Sequence, residues 1–234
     1  MITDFHTHIL PGIDDGSASV GESIAMLKAE AAQGISHVVA TPHFYPRYQT
    51  PEAFLKERSK AEETLRQEMV QHSGLPQVSI GAEVYFFRGI SESDCLPLLT
   101  INKKDCILLE MPESVWTDSM YSEIEVIYRR WGITPVIAHV DRYISPFRSH
   151  KIMDRLANLP VLVQANASFF LKPTTASMAM RLLRQGRIHL LGSDCHNMST
   201  RSPNLGNAIG QIQHRLGDEA IAHISRNQER VFGS

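Results

Sequence analysis

Residues 22–43 run ESIAMLKAEAAQGISHVVATPH, and a helix, a turn and a strand are legible in that order. Residues 22–33 carry apolar side chains at helical spacing and stop at Gly34, a residue suited to the left-handed backbone just past a helix end. Ser36-His37-Val38-Val39-Ala40 is a near-continuous apolar run, the pattern of a parallel strand in a sheet covered by helices. The run then ends at Thr41-Pro42-His43, on a side chain able to bind metal.

The same unit recurs in both directions. Seven β-type runs are expected, at residues 2–5, 35–41, 78–82, 106–109, 135–138, 161–164 and 188–191. Helix-type segments lie between them at 51–72, closed by Gly74, at 119–131, ending at Gly132, and at 175–185, ending at Gly186. Residues 204–216 and 219–225 read as closing helices. Alternation of strand and helix is the α/β signature, with a closed barrel and an open doubly wound sheet both compatible with it. No repeat, low-complexity tract or proline-rich linker divides the chain, so residues 1–234 are expected to form one domain.

Composition narrows the class. A chain of 234 residues can bury a substantial core without disulfides, and 43% hydrophobic with 21% charged residues suits a soluble globular protein. A formal net charge of -2 supplies no electrostatic reason for a nucleic-acid partner or an anionic membrane surface. The opening Met1-Ile2-Thr3-Asp4 does not read as a signal peptide, and no apolar stretch approaches the roughly 20 residues of a membrane span, so no stable membrane insertion is expected. Cys95, Cys106 and Cys195 are odd in number and widely spaced, which fits a reducing compartment and a cytoplasmic protein.

The ends of six of these runs share a chemistry. They read Asp4-Phe5-His6-Thr7-His8, Thr41-Pro42-His43, Gly81-Ala82-Glu83, Leu109-Glu110, Ala138-His139 and Ser193-Asp194-Cys195-His196, with Asp14 and Asp15 in the loop after the first. One His after an apolar strand is ordinarily a packed or surface imidazole, and one Glu there an ordinary helix cap. Six coincident strand ends are another matter, because parallel neighbours bring them to one face. Imidazoles with hard carboxylates and no required thiolate favour Mn, Fe or Zn in a multi-metal cluster. Carboxylates can bridge ions held ~3.5–4 Å apart, an arrangement suited to hydrolysis of a phosphoryl group.

Arg142, three residues after His139, and Arg201, in the loop after Asp194, stand beside these candidates. A planar guanidinium engages two phosphoryl oxygens at once. Each alone reads equally well as a solvated or ion-paired loop residue; their shared placement favours a phosphate clamp.

The segments 4–16 (DFHTHILPGIDDG), 40–43 (ATPH), 81–85 (GAEVY), 139–143 (HVDRY) and 193–197 (SDCHN) together strongly resemble the polymerase and histidinol phosphatase (PHP) superfamily. Within it, they resemble the manganese-dependent protein tyrosine phosphatases of bacterial capsule and exopolysaccharide loci, over residues 2 to about 225. The resemblance implies a distorted seven-stranded, TIM-like (β/α) barrel with two or three Mn2+ ions at its mouth, Fe or Zn being alternatives. It implies His6, His8 and Asp194 with shared Glu83 for one ion, Glu83, Glu110 and His139 for a second, and Asp15, His43 and His196 for a third. Asp15 rather than Asp14 is the family's choice, although the residues alone leave both open. Arg142 and Arg201 match the family's phosphate arginines. The implied substrate is a phosphotyrosine protein, the tyrosine-rich C-terminal tail of a capsule-synthesis kinase.

The expected reaction is in-line attack of metal-activated hydroxide on phosphorus, with a phenolate of pKa about 10 leaving more readily than an alkoxide. The ligands alone leave two alternatives, a small-molecule phosphomonoesterase such as a histidinol phosphatase, and a non-catalytic metal-binding regulatory subunit. Phe44-Tyr45-Pro46-Arg47-Tyr48 departs from the second histidine common in relatives, and Phe44, Tyr45 and Tyr48 are each candidates to stack on the substrate ring. Cys195 to Arg201 has the Cys-x5-Arg spacing of thiol-dependent tyrosine phosphatases but contains no glycine, and Asp194 and His196 on either side are expected to turn Cys195 away from the metals.

Overall fold

Side-chain caps set the starts of the first two long helices. Ser19 accepts the Glu22 backbone N–H to open α1 (Val20–Ala32), and Thr50 accepts that of Ala53 to open α2 (Pro51–Met69), where Pro51 occupies a position that needs no N–H donor. Gly34 follows α1 at φ 80° and Gly132 closes α4 (Asp118–Trp131) at φ 65°, both in the left-handed region. The computed structural model describes residues 2–144 and 151–232.

Those helices alternate with parallel strands. In chain order they are β1 (Thr3–Thr7), α1, β2 (His37–Ala40), β3 (His43–Phe44), α2, β4 (Gln77–Ile80), β5 (Glu83–Tyr85), α3 (Leu96–Leu99), β6 (Cys106–Glu110), α4 and β7 (Thr134–Ile137). There follow α5 (Lys151–Leu156), β8 (Leu162–Asn166), α6 (Ala167–Leu171), α7 (Ala176–Arg184), β9 (Leu190–Gly192), α8 (Leu205–Leu216) and α9 (Asp218–Phe232). The sheets run β1-β2-β4 and β3-β5-β6-β7-β8-β9, every pairing parallel, so all C-terminal ends lie on one side. This is an α/β fold built on a half-barrel of parallel strands.

Nine strand segments among the described residues replace the seven runs expected. Beyond the second run, which ends at Thr41, Pro42 has no N–H to give the ladder and pairing resumes at His43, and past Gly81-Ala82, where the third run ends, it resumes at Glu83. Gly81 passes close under Ile101, whose Cγ1 would lie 3.0 Å from an added Cβ. Backbone bonds span both breaks, from Gly81 N–H to the Ala40 carbonyl (2.8 Å) and from Glu83 N–H to the Pro42 carbonyl (3.0 Å). β9 meets β1 through bonds from Asp194 N–H to the His6 carbonyl (2.8 Å) and from His8 N–H to the Cys195 carbonyl (2.9 Å).

The strands enclose a small core of Phe5, Val39, Leu108, Val136 and Leu190, closed by Val231 and Phe232 of α9. A larger apolar layer, including Leu27, Phe54, Ile107, Ile127 and Leu183, fills the space under the helices. Pairing of β1 with β2 slips by one residue between Asp4 and Thr7, a bulge. Its consequence is local and decisive: Phe5 and His6, adjacent in sequence, both reach groups on the strand-enclosed side, which regular alternation forbids.

Candidate metal centre

His6, delivered by that bulge, brings Nε2 to 3.1 Å from Glu83 Oε2 and 3.5 Å from Asp194 Oδ1. His8 Nε2 lies 3.3 and 3.5 Å from the same two oxygens. The break after Thr41-Pro42 presents His43, with Nδ1 2.9 Å from Glu83 Oε2 and 4.0 Å from Glu110 Oε2. His139 Nε2 approaches Glu83 Oε1 at 2.7 Å and Glu110 Oε1 at 3.6 Å. Farther out, Asp15 Oδ1 lies 3.5 Å from His43 Nε2 and 3.4 Å from His196 Nε2. All nine expected ligand candidates therefore converge, and among the described residues eight of them form three overlapping sets: His8, Asp15, His43 and His196; His6, His8 and Asp194; and His43, Glu83 and Glu110. In the last of these His43 stands in place of the expected His139, which lies against Glu83 at 2.7 Å outside the three sets.

Two of these residues sit in strained backbone. His139 (φ 31°) and Asp194 (φ 56°) adopt left-handed conformations that L side chains rarely occupy, and each turns its side chain inward where a continuing strand would not. Asp194 also revises how Cys195 is turned away. The alternation expected of an extended chain is absent at Asp194, yet Cys195 is fully buried, its Sγ 3.9 Å from Glu30 Oε1 on α1. Burial, with the Glu30 and Asp4 carboxyls beside it, holds this thiol well above its ordinary range.

Neighbouring groups hold the inner imidazoles in place. Asp14 Oδ2 accepts from His8 Nδ1 at 2.7 Å and from the His43 backbone N–H at 3.0 Å, so Asp14 orients ligand candidates while Asp15 faces the cluster. Gln164 Oε1 lies 3.4 Å from His6 Nδ1 and accepts the His139 N–H at 2.6 Å. Tyr143 Oη lies 3.2 Å from His139 Nδ1 and accepts the Met111 N–H at 2.9 Å. Asn166 donates to Asp194 Oδ2 at 3.0 Å. Gln164 and Asn166 close β8, the one run whose end carries no ligand candidate; a polar amide in register with the other strand ends is the signal that points to them.

Metal suits this donor set because, within each set, the imidazole nitrogens and carboxylate oxygens all lie within 4.8 Å of one another. Glu83 Oε2, His43 Nδ1 and His196 Nε2 are buried and make no well-formed hydrogen bond, although His43 Nδ1 and Glu83 Oε2 are only 2.9 Å apart. Native interiors rarely leave such atoms without a well-formed partner, and their convergence fits a candidate cation site. Glu83 shows the same charge logic: burial would raise its pKa, but His6, His139 and His43 outweigh that and hold it well below the carboxylate range.

Both arginines reach the cluster. Arg142 donates to Asp194 Oδ2 at 2.7 Å and approaches Glu110 Oε1 at 3.5 Å. Arg201 lies 2.8 Å from Asp194 Oδ1 and 3.9 Å from Asp15 Oδ2. Their side chains remain 33% and 38% exposed, so each keeps N–H donors directed to the open side. Of the aromatic candidates, Phe44 is fully buried against Phe54 and does not face the site. Tyr45 stacks on His43 with centroids 4.9 Å apart and donates to Glu110 Oε2 at 3.2 Å, whereas Tyr48 is 79% exposed at the rim.

A parallel α/β scaffold with overlapping imidazole and carboxylate sets at its strand ends defines a protein with a candidate metal centre. The model of the family described as Capsular polysaccharide synthesis, CpsB/CapC matches residues 2–232, and the chain belongs to that family, consistent with the PHP superfamily. It is similar to tyrosine-protein phosphatase YwqE of Bacillus subtilis (strain 168), 28% identical over 98% of this chain and 91% of that one. It is similar also to tyrosine-protein phosphatase CpsB of Streptococcus agalactiae serotype III, 27% identical over 92% and 91%. A crystal structure from work on YwqE of B. subtilis and CpsB of Streptococcus pneumoniae, described as unique metal-dependent tyrosine phosphatases, shares the fold. Its TM-score is 0.85 at 22% identity, covering 100% of this chain and 95% of that chain.

Proposed function

We propose that this chain is a metal-dependent protein tyrosine phosphatase, and that residues 1–234 form one domain, a distorted seven-stranded barrel. Counting β2 with β3 and β4 with β5 as interrupted single strands, and joining β9 to β1, supports the seven-strand reading. The observation that carries the function is the convergence of buried imidazole and carboxylate donors beside two partly exposed guanidinium groups. The family and its phosphatase relatives point the same way.

In this reading His6, His8 and Asp194 hold one cation with Glu83 shared, Glu83, Glu110 and His139 a second, and Asp15, His43 and His196 a third. Manganese is the proposed metal, with two or three ions, and iron or zinc as alternatives. Bound divalent ions would lower the pKa of water and neutralise phosphoryl charge. Arg142 and Arg201, braced on opposite oxygens of Asp194, bind the non-bridging oxygens of the phosphoryl group. Asp14, Gln164 and Tyr143 keep the imidazoles turned toward the centre, so little reorganisation is needed when substrate arrives. The substrate tyrosine departs through the side where Asp15 is 66% exposed.

The proposed protein substrate is the tyrosine-rich C-terminal tail of a capsule-synthesis kinase, met in the cytoplasm. No helix among the described residues is long and apolar enough to cross a membrane. The test compares phosphate release from phosphotyrosine peptides, histidinol phosphate and sugar phosphates by the manganese-loaded protein. Phosphotyrosine should turn over fastest; equal or faster turnover of histidinol phosphate would sink the proposed substrate.

A further inference from the structure

We propose that Tyr45 determines specificity for an aryl phosphate, its ring forming a wall of the cleft that receives the substrate's phenyl group; this rests on the phosphatase reading above. A cleft of about 320 Å3 opens beside the mouth of the metal centre, lined by Ile13, Asp14, Asp15, His43, Tyr45 and Gln49. Asp15 and His43 belong at once to this cleft and to the outermost ligand set. A group attached to a phosphoryl held at that set therefore extends into the cleft.

The cleft's apolar surface comes from Ile13 and from the Tyr45 ring. That ring is held from three sides. It stacks on His43 at 4.9 Å and 28°, its hydroxyl donates to Glu110 Oε2 at 3.2 Å, and Tyr85 backs it at 5.5 Å. Tyr45 thus cannot swing away without giving up a partly buried hydrogen bond, and a rigid aromatic wall costs little entropy when a flat ring packs on it. A methyl or hydroxymethyl group in the same place would leave the wall largely uncovered. Tyr48 continues the aromatic surface outward, edge-on to Tyr45 at 6.3 Å, with Arg47 over its ring at 5.9 Å. Tyr48 is mostly exposed and, among the described residues, makes no hydrogen bond of the kind that anchors Tyr45 to Glu110, so the discriminating contact belongs to Tyr45.

The experiment measures inhibition by phenylphosphonate and methylphosphonate, non-hydrolysable heads differing only in the aryl group. Wild type, Tyr45→Phe and Tyr45→Ala are compared at matched metal content. Wild type should bind the phenyl compound about tenfold or more tighter than the methyl compound. Tyr45→Phe, which keeps the ring, should retain that preference within about threefold, and Tyr45→Ala should lose most of it while its methylphosphonate constant moves less than about threefold. Retention of the phenyl preference in Tyr45→Ala, an equal loss of affinity for both inhibitors, or no preference in wild type would each overturn the assignment. Failure of wild type to hydrolyse phosphotyrosine would instead overturn the phosphatase reading, so the two failures are separable.

Discussion

His8 and Asp14 are joined by a 2.7 Å hydrogen bond from Nδ1 to Oδ2, on the edge of the imidazole opposite the metal centre. The bond leaves His8 Nε2 toward Glu83 and Asp194, and it sets Asp14 apart from Asp15 although the two are adjacent. His8 and the backbone N–H groups of His43 and Gly16 overcome the burial of Asp14 and keep its pKa at about 2. Asp14 is therefore an anion at any working pH, and it braces His8 and His43, both ligand candidates.

The first prediction follows from that division of labour. Asp14→Asn should weaken metal binding about 10- to 100-fold, the usual loss when an orienting partner of a metal-bound imidazole is removed. Metal titration followed by elemental analysis measures it. Asp194→Ala should cost more, reducing metal content and collapsing turnover with the fold retained, because Asp194 lies at a strand end outside the apolar core. Full occupancy and near-wild-type rate in Asp194→Ala would contradict the site.

The arginines are tested by kinetics at verified metal content. Arg142→Ala and Arg201→Ala should each lower kcat/KM by roughly 30- to 1000-fold, the loss of about 2–4 kcal/mol of transition-state stabilisation. Changes below threefold at both positions would return them to the role of ion-paired surface residues.

Cysteine chemistry separates two mechanisms. Cys195→Ser should keep most activity, since its thiol is buried beside Glu30 and held protonated. Chelation should abolish turnover and added manganese restore it. A dead Cys195→Ser enzyme with its full metal complement, together with wild-type turnover indifferent to prolonged chelation, would overturn the metal-dependent reading.

Stability should carry the mark of Glu30. Burial and the nearby Asp4 carboxyl push its pKa up to about 10, so the folded protein holds a proton there that the unfolded chain releases near about 4.3. A raised folded-state pKa means the contribution is fully present below the unfolded value and is lost as pH climbs toward 10. Glu30→Gln, which keeps a donor for Asp4 and cannot ionise, should therefore gain stability over wild type increasingly from about pH 5 to about pH 9. Denaturant midpoints across that range measure it; a parallel pH dependence in the two proteins would rule out the buried proton.

Several features are legible in the sequence itself because they depend on local rules. Helix periodicity, capping glycines at 34 and 132 and apolar strand runs are short-range consequences of backbone sterics and burial, and the fold contains them at those positions. Convergence of the strand-end ligand candidates is likewise implied, since parallel strands carry their C-terminal ends to one side. Less legible are the short strands β3 and β5, which resume pairing after Pro42 and Ala82, because two- and three-residue segments carry no apolar pattern of their own. Helices α3, α5 and α6, of four, six and five residues, are too short to show periodicity.

Side-chain roles divide along the same line. Which residue types could bind metal, and in what chain order, is a property of the sequence, because imidazole and carboxylate chemistry travels with the residue. Which adjacent carboxylate faces the cluster, which aromatic of 44, 45 and 48 lines the cleft, and which amides brace the imidazoles are properties of the tertiary structure alone. A one-residue bulge in β1 and left-handed turns at His139 and Asp194 redirect side chains by more than alternation allows. Those distortions are held by contacts between segments far apart in the chain, such as Gln164 with His6 and Ser193 with Asp4, and no local pattern encodes them.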